Sequence, residues 1–119
     1  MAWSFTSEIP VYLQISKRIT MAVLSGEYSA GEQIPSVRQL ALDAAVNPNT
    51  VQHAFQELET GGIIISKGTL GRFVTEDETV ITACRNKMAH QLIADFSRQA
   101  KGLSLTKEEI ISILEEEMK

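Results

Sequence analysis

The sequence is poor in the side chains that build redox and metal centres. One cysteine, Cys84, and two histidines, His53 and His90, are its whole stock of soft ligands. A lone cysteine forms no internal disulfide, and the three residues lack the spacing of a structural zinc site, so neither a disulfide scaffold nor a metal centre is expected. Long apolar runs are missing too. No stretch approaches the roughly 18 residues of a membrane span, and the segment before Pro10 has no basic region leading into a hydrophobic one, so a cytoplasmic chain without a membrane partner is expected. The signatures of catalysis are equally absent: no phosphate-binding glycine loop, no H-E-x-x-H, no G-x-S-x-G. Glu108 and Glu109 are adjacent and diverge around a helix, and Cys84 falls on an apolar stripe, so the expectation is no enzyme and no cofactor. Positive charge is scarce as well, with 11 Lys and Arg against 15 Asp and Glu for a net charge of -4, which argues against indiscriminate polyanion binding. Divided after Thr75, the first part has five basic and six acidic residues and the second six basic and nine acidic, so a nucleic-acid surface in the first part has to be local.

What remains is a chain of 119 residues, 44% hydrophobic, enough for one domain, or one small domain with an appendage, and a real core. From Pro10, Tyr12, Ile15, Ile19, Ala22 and Val23 recur at helical spacing, with Gly26 as the stop. Ser29 to Pro35 reads as a connection with a short strand around Gln33 and Ile34. Ser36-Val37-Arg38-Gln39 has the form of a capping box opening a second helix whose buried face is Val37, Leu40, Ala41 and Ala44. Asn47 caps and Pro48 opens a third helix, with Val51, Ala54, Phe55 and Leu58 inward and Gly61-Gly62 at its end. Ile63-Ile64-Ile65, a turn over Gly68 to Gly71, and Arg72-Phe73-Val74 make a small hairpin. Beyond Thr75 the spacing of Val80, Ile81, Cys84, Met88, Leu92, Ile93 and Phe96 predicts a long helix ending near Gly102. A capping box at Thr106 to Glu109 starts a last helix with Ile110, Ile111 and Leu114.

Three helices, the second and third joined by a tight turn, followed by a hairpin, predict a winged helix-turn-helix over residues 1–75, α+β and mainly α, with a two-helix tail over 76–119. The third helix of such a unit can enter a DNA major groove, where Asn49 offers a paired amide, Thr50 a hydroxyl and a methyl, and His53 a donor one turn later. Arg38, in the first turn of the second helix, can clamp a phosphate or reach a base. Ser36 is a cap first and a phosphate contact second. In the wing, Gly68 and Gly71 permit close backbone approach while Lys67 and Arg72 supply charge.

The strings Gly31-Glu32-Gln33-Ile34-Pro35-Ser36-Val37-Arg38-Gln39-Leu40-Ala41, Val46-Asn47-Pro48-Asn49-Thr50-Val51, Leu58-Glu59 with Gly62-Ile63-Ile64, and Gly71-Arg72-Phe73-Val74, in this order, resemble the GntR family of bacterial transcription regulators. Pro-Ser-Val-Arg and Asn-Pro-Asn-Thr-Val, with the short helical tail, resemble its YtrA subfamily. The resemblance implies a dimeric regulator on an inverted-repeat double-stranded DNA operator, commonly a repressor of a nearby operon, often one encoding a transporter. It carries DNA contact onto Ser36, Arg38, Asn49, Thr50, His53 and Gly71. The chain departs from the family pattern in having His53 where a basic residue is common, fewer basic residues before the wing, and Arg72 in place of threonine. Fewer fixed cations imply weaker and less salt-dependent binding unless Arg72 compensates.

The tail is close to the limit of about 40 residues below which a unit rarely stands alone, and two helices do not readily enclose a pocket of roughly 300 Å³. No private effector domain is therefore expected, and an effector is left unidentified. The stripe Ile81, Met88, Leu92, Phe96 with Ile110, Ile111 and Leu114 has to be covered by the winged domain, by a second copy, or by both. Dimerisation is the expectation, because a two-fold pair sets two third helices a DNA turn or a multiple apart. Trp3 and Phe5 are expected to pack on the fold. The competing reading is a winged-helix protein-interaction module without specific DNA binding.

Overall fold

The computed structural model describes residues 3–119. Five helices and a two-stranded sheet follow one another: α1 Val11–Leu24, α2 Val37–Ala44, α3 Pro48–Thr60, β1 Ile64–Ser66, β2 Arg72–Val74, α4 Glu78–Gly102 and α5 Lys107–Glu117. The described residues fall into two compact units divided after Thr82, so the opening turn of α4 belongs with the helices and hairpin before it.

In the first unit the apolar faces read from the sequence converge. α1 and α2 both pack on α3, and α3 packs on β1. Ile15, Val51, Phe55, Ile64 and Val74 are the largest side chains wholly withdrawn from water, each worth about 1.5–3 kcal/mol in apolar transfer. Ser16 ties the helices further: its hydroxyl donates to the Tyr12 carbonyl at 2.9 Å and to the Ala54 carbonyl of α3 at 3.4 Å.

The α2–α3 turn is short because both ends are satisfied locally. Ala45 takes the left-handed conformation at φ 56°, and its N–H reaches back to the last turn of α2. Asn47 then caps α3, its side chain accepting from the Asn49 N–H at 2.8 Å, and Pro48 occupies the first turn. At the start of α2 only half of the expected capping box forms. Ser36 accepts from the Gln39 N–H at 3.1 Å, but the Gln39 amide turns forward to Asp43 at 2.8 Å. A partner one turn ahead on the helix surface wins over the cap backbone. Val37, expected in the core, is half-buried.

The hairpin is antiparallel, pairing Ile64 with Val74, Ile65 with Phe73 and Ser66 with Arg72. It gains a third member from the segment before α2. Gly31 N–H donates to the Val74 carbonyl, Val74 N–H to Glu32 and Ile34 N–H to Arg72, and Gln33 bridges Phe73. The Gln33 side chain also donates to the Leu70 carbonyl at 2.8 Å, propping the single 3₁₀ turn Gly68–Leu70 at the tip.

Gly71 closes that turn at φ 108°, and a methyl group there would stand 2.6 Å from Gln33 Nε2. Gly71→Ala is therefore expected to cost about 2 kcal/mol, from a strained backbone and a displaced hydrogen bond. Urea unfolding followed by circular dichroism measures it; an unchanged midpoint would show that the glycine is not needed for the wing's shape.

The second unit comprises the rest of α4 and α5. Ser104, at φ 58°, stands in the connection after α4, and α5 opens on the complete capping box expected: Glu109 N–H donates to Thr106 Oγ1 at 3.1 Å and Thr106 N–H to the Glu109 carboxylate at 2.9 Å. These bonds hold the Glu109 carboxyl below its ordinary pKa. Along this unit Leu92, Ile93, Phe96, Ile111 and Leu114 are exposed on the single chain, while Met88 and Ile110 are half-buried.

Candidate nucleic-acid interface

The front of α3 presents a row of hydrogen-bonding side chains. Asn49 and His53 are exposed and Thr50 half-exposed, on the side opposite the buried Val51, Ala54 and Phe55. The reason is the helical period: with one face given to the core, positions 49, 50 and 53 fall outside it. The Asn49 and Thr50 side chains make no hydrogen bond with the described residues; Asn49 enters the cap through its backbone N–H alone. Their donors and acceptors are thus available to another molecule. Asn47, by contrast, is consumed as the cap.

His53 is placed by a contact the sequence did not reveal. Its ring lies on Tyr12 of α1, with centroids 3.6 Å apart and planes inclined by 8°. Face-on packing restricts the imidazole to one plane and leaves its edge for hydrogen bonding. Tyr12 reads in the sequence as one more apolar position of α1. A partner 41 residues further on leaves no local signal.

Arg38 is exposed in the first turn of α2 and, among the described residues, has no ion pair. Arg72 differs. Its Nε stands 2.5 Å from Glu59 Oε1 on α3, with the guanidinium 5.0 Å from the centre of the Phe55 ring, so its charge is balanced inside the unit and braces the wing against α3. Lys67 is exposed, its ammonium 4.7 Å from the centre of the Phe73 ring. Gly68, at φ 62°, has open space where a side chain would stand, and Leu70 beside it is 69% exposed at the tip. Ser36 is exposed, with its oxygen engaged as the α2 cap. The candidate interface brings together the α3 front, the Arg38 cation and the wing tip, with Gln33 and Glu59 as supports that sequence reasoning missed.

Comparison with known proteins fits this geometry. Residues 11–74 match the sequence model of the bacterial regulatory proteins of the gntR family. An uncharacterized HTH-type transcriptional regulator of Bacillus subtilis, YhcF, is 36% identical over 107 residues, covering 90% of this chain and 88% of that one. The HTH-type transcriptional repressor YtrA of the same organism is 39% identical over 71 residues, 60% of this chain and 55% of the relative. A solved GntR family transcriptional regulator from Listeria monocytogenes superposes with a TM-score of 0.87 at 37% identity, over 94% of this chain and 98% of that one. A winged DNA-binding unit followed by two helices, matched along nearly its whole length by regulators of one kind, makes this chain a transcription regulator of the bacterial gntR family.

Proposed function

We propose that the chain acts in the cytoplasm as a homodimeric repressor on an inverted-repeat operator, without a metal or cofactor. The observation that carries the reading is the front of α3, where Asn49 and Thr50 keep their side-chain hydrogen bonds for a partner while His53 is held edge-out by Tyr12. In this reading α3 enters the major groove, Arg38 and Ser36 meet phosphates at the start of α2, and Lys67, Gly68 and Gly71 approach the backbone at the wing. Arg72 takes part only if it leaves Glu59. In this reading the apolar side chains of the last two helices, the exposed Leu92, Phe96 and Leu114 and the half-buried Ile81, Met88 and Ile110, pair two copies. Repression is the activity named for the Bacillus subtilis relative YtrA and is carried to this chain by similarity.

Selection from random duplexes, followed by anisotropy titration at several salt concentrations, tests this function. A palindrome should be enriched. With Arg38 and Lys67 as the cations of the candidate interface in each protomer, about four phosphates are neutralised per dimer, giving a log-log salt slope near -3.5. No enrichment, with feeble binding at low salt only, would favour the protein-interaction module.

The stack on His53 has its own expected outcome. Tyr12→Ala should weaken the selected operator about 3- to 10-fold, the scale of an aromatic pair. Adding it to His53→Ala should change nothing further. Additive losses in that double-mutant cycle would show that Tyr12 acts on DNA by itself.

A further inference from the structure

The winged unit contains a cavity that the DNA interface does not use. Its volume is about 400 Å³, and Trp3, Glu27, Tyr28, Pro35, Leu40 and Asp43 line it. That volume lies in the range of small-molecule sites. The walls come from three parts of the chain: the amino-terminal segment, the loop leaving α1, and α2 with its approach.

The lining selects a ligand by charge and by surface. Two aromatic rings, a proline and a leucine provide apolar walls, and the only ionic side chains among them are carboxylates. Neither Glu27 nor Asp43 has an ion pair among the described residues. Among the described residues Asp43 accepts one side-chain hydrogen bond, from Gln39, and Glu27 accepts none. The field they set up is felt inside: burial first, then Glu27, Glu32 and Asp43, raise the Tyr28 hydroxyl above its ordinary pKa. No side chain lining the cavity is cationic, so an anion entering it would meet that field; the Arg18 guanidinium lies on the Trp3 ring and is not among the lining residues. The indole is already a cation platform in this fold, since the Arg18 guanidinium lies 4.2 Å from the centre of the Trp3 ring and Phe5 stacks on it at 5.9 Å. Aromatic faces backed by carboxylates are the surroundings in which ammonium groups are bound.

We propose that this cavity is a binding site for a small organic cation, an amine or quaternary ammonium compound, whose charge is held by Glu27 and Asp43 and whose carbon atoms rest on Trp3, Tyr28 and Leu40. The site stands in the winged unit itself, so it does not require the tail to enclose a pocket. It also joins the loop after α1 to α2, the helix that presents Arg38.

Trp3 is the only tryptophan in the sequence, so its emission reports on this cavity alone. The full-length protein is titrated, without DNA, with choline, with its neutral isostere 3,3-dimethylbutan-1-ol, and with 1,5-diaminopentane; calorimetry on the same pairs decides where emission is silent. Saturable binding of a cation, at least tenfold tighter than the neutral isostere, is expected. Choline in preference to the diamine assigns a quaternary ligand, and the reverse a primary amine. Glu27→Gln with Asp43→Asn should weaken binding at least tenfold at an unchanged melting temperature. Heat and emission changes absent for both cations, equal response to the neutral alcohol, or full binding by the double variant would each overturn the proposal. No DNA is present, so the result stands whether or not the operator reading does.

Discussion

Replacing Arg38 and Asn49 together by alanine is expected to reduce affinity for the selected operator at least 100-fold and to leave the melting temperature unchanged or slightly raised. The size follows from what each side chain can give. A bidentate amide on adenine, or a guanidinium on phosphate or guanine, is worth about 1–3 kcal/mol, and a dimer loses both at two half-sites. The stability side follows from the structure. Neither side chain is bonded within the described residues, Asn49 keeps its backbone contact to Asn47, and alanine has the higher helix propensity. Asn47→Ala is the contrasting control. It removes the α3 cap at a cost of about 1 kcal/mol of stability, with little change in sequence preference. Unchanged affinity and salt slope in the Arg38/Asn49 double variant would sink the assignment of these contacts.

Those two side chains were legible because their freedom is a local matter. Capping residues, glycine positions and the period of the apolar residues place α2 and α3, and once Val51, Phe55 and Leu58 are inward, positions 49 and 53 have to be outward. The same rules gave the hairpin and the capping box of α5. Whatever depends on two distant segments stayed hidden. Arg72 reads as a free wing cation, yet it closes on Glu59, 13 residues earlier, across the junction of α3 and the wing. The compensation it could have offered for the missing family cations is therefore spent within the fold. Gln33 reads as part of a connection and acts as the prop of the wing turn, and Tyr12 reads as core and acts as the seat of His53. At Ser36 even a local rule divided: the cap formed, while its glutamine partner found Asp43 along the helix instead.

Leu92→Glu is expected to convert the protein from dimer to monomer in sedimentation velocity at micromolar concentration. Leu92 is 68% exposed and Phe96 39% exposed on the single chain, so a glutamate in the monomer meets water and costs the fold almost nothing. In a two-copy interface built on this stripe, the same carboxylate would be buried without a partner, a penalty of several kcal/mol on each side of a two-fold axis. The variant thus acts on association alone, and an unchanged melting profile of the winged unit at low concentration confirms it. The consequence for DNA is larger than any single contact. A dimer binds its second half-site as an intramolecular event, which raises operator affinity by about 10²–10⁴ without adding a contact to either half-site. The monomeric variant should lose that factor on the palindrome and keep the affinity of one unit for an isolated half-site. A wild-type chain that sediments as a monomer, or a Leu92→Glu variant that remains dimeric, would remove the tail from the interface and require the pairing to be sought on another face.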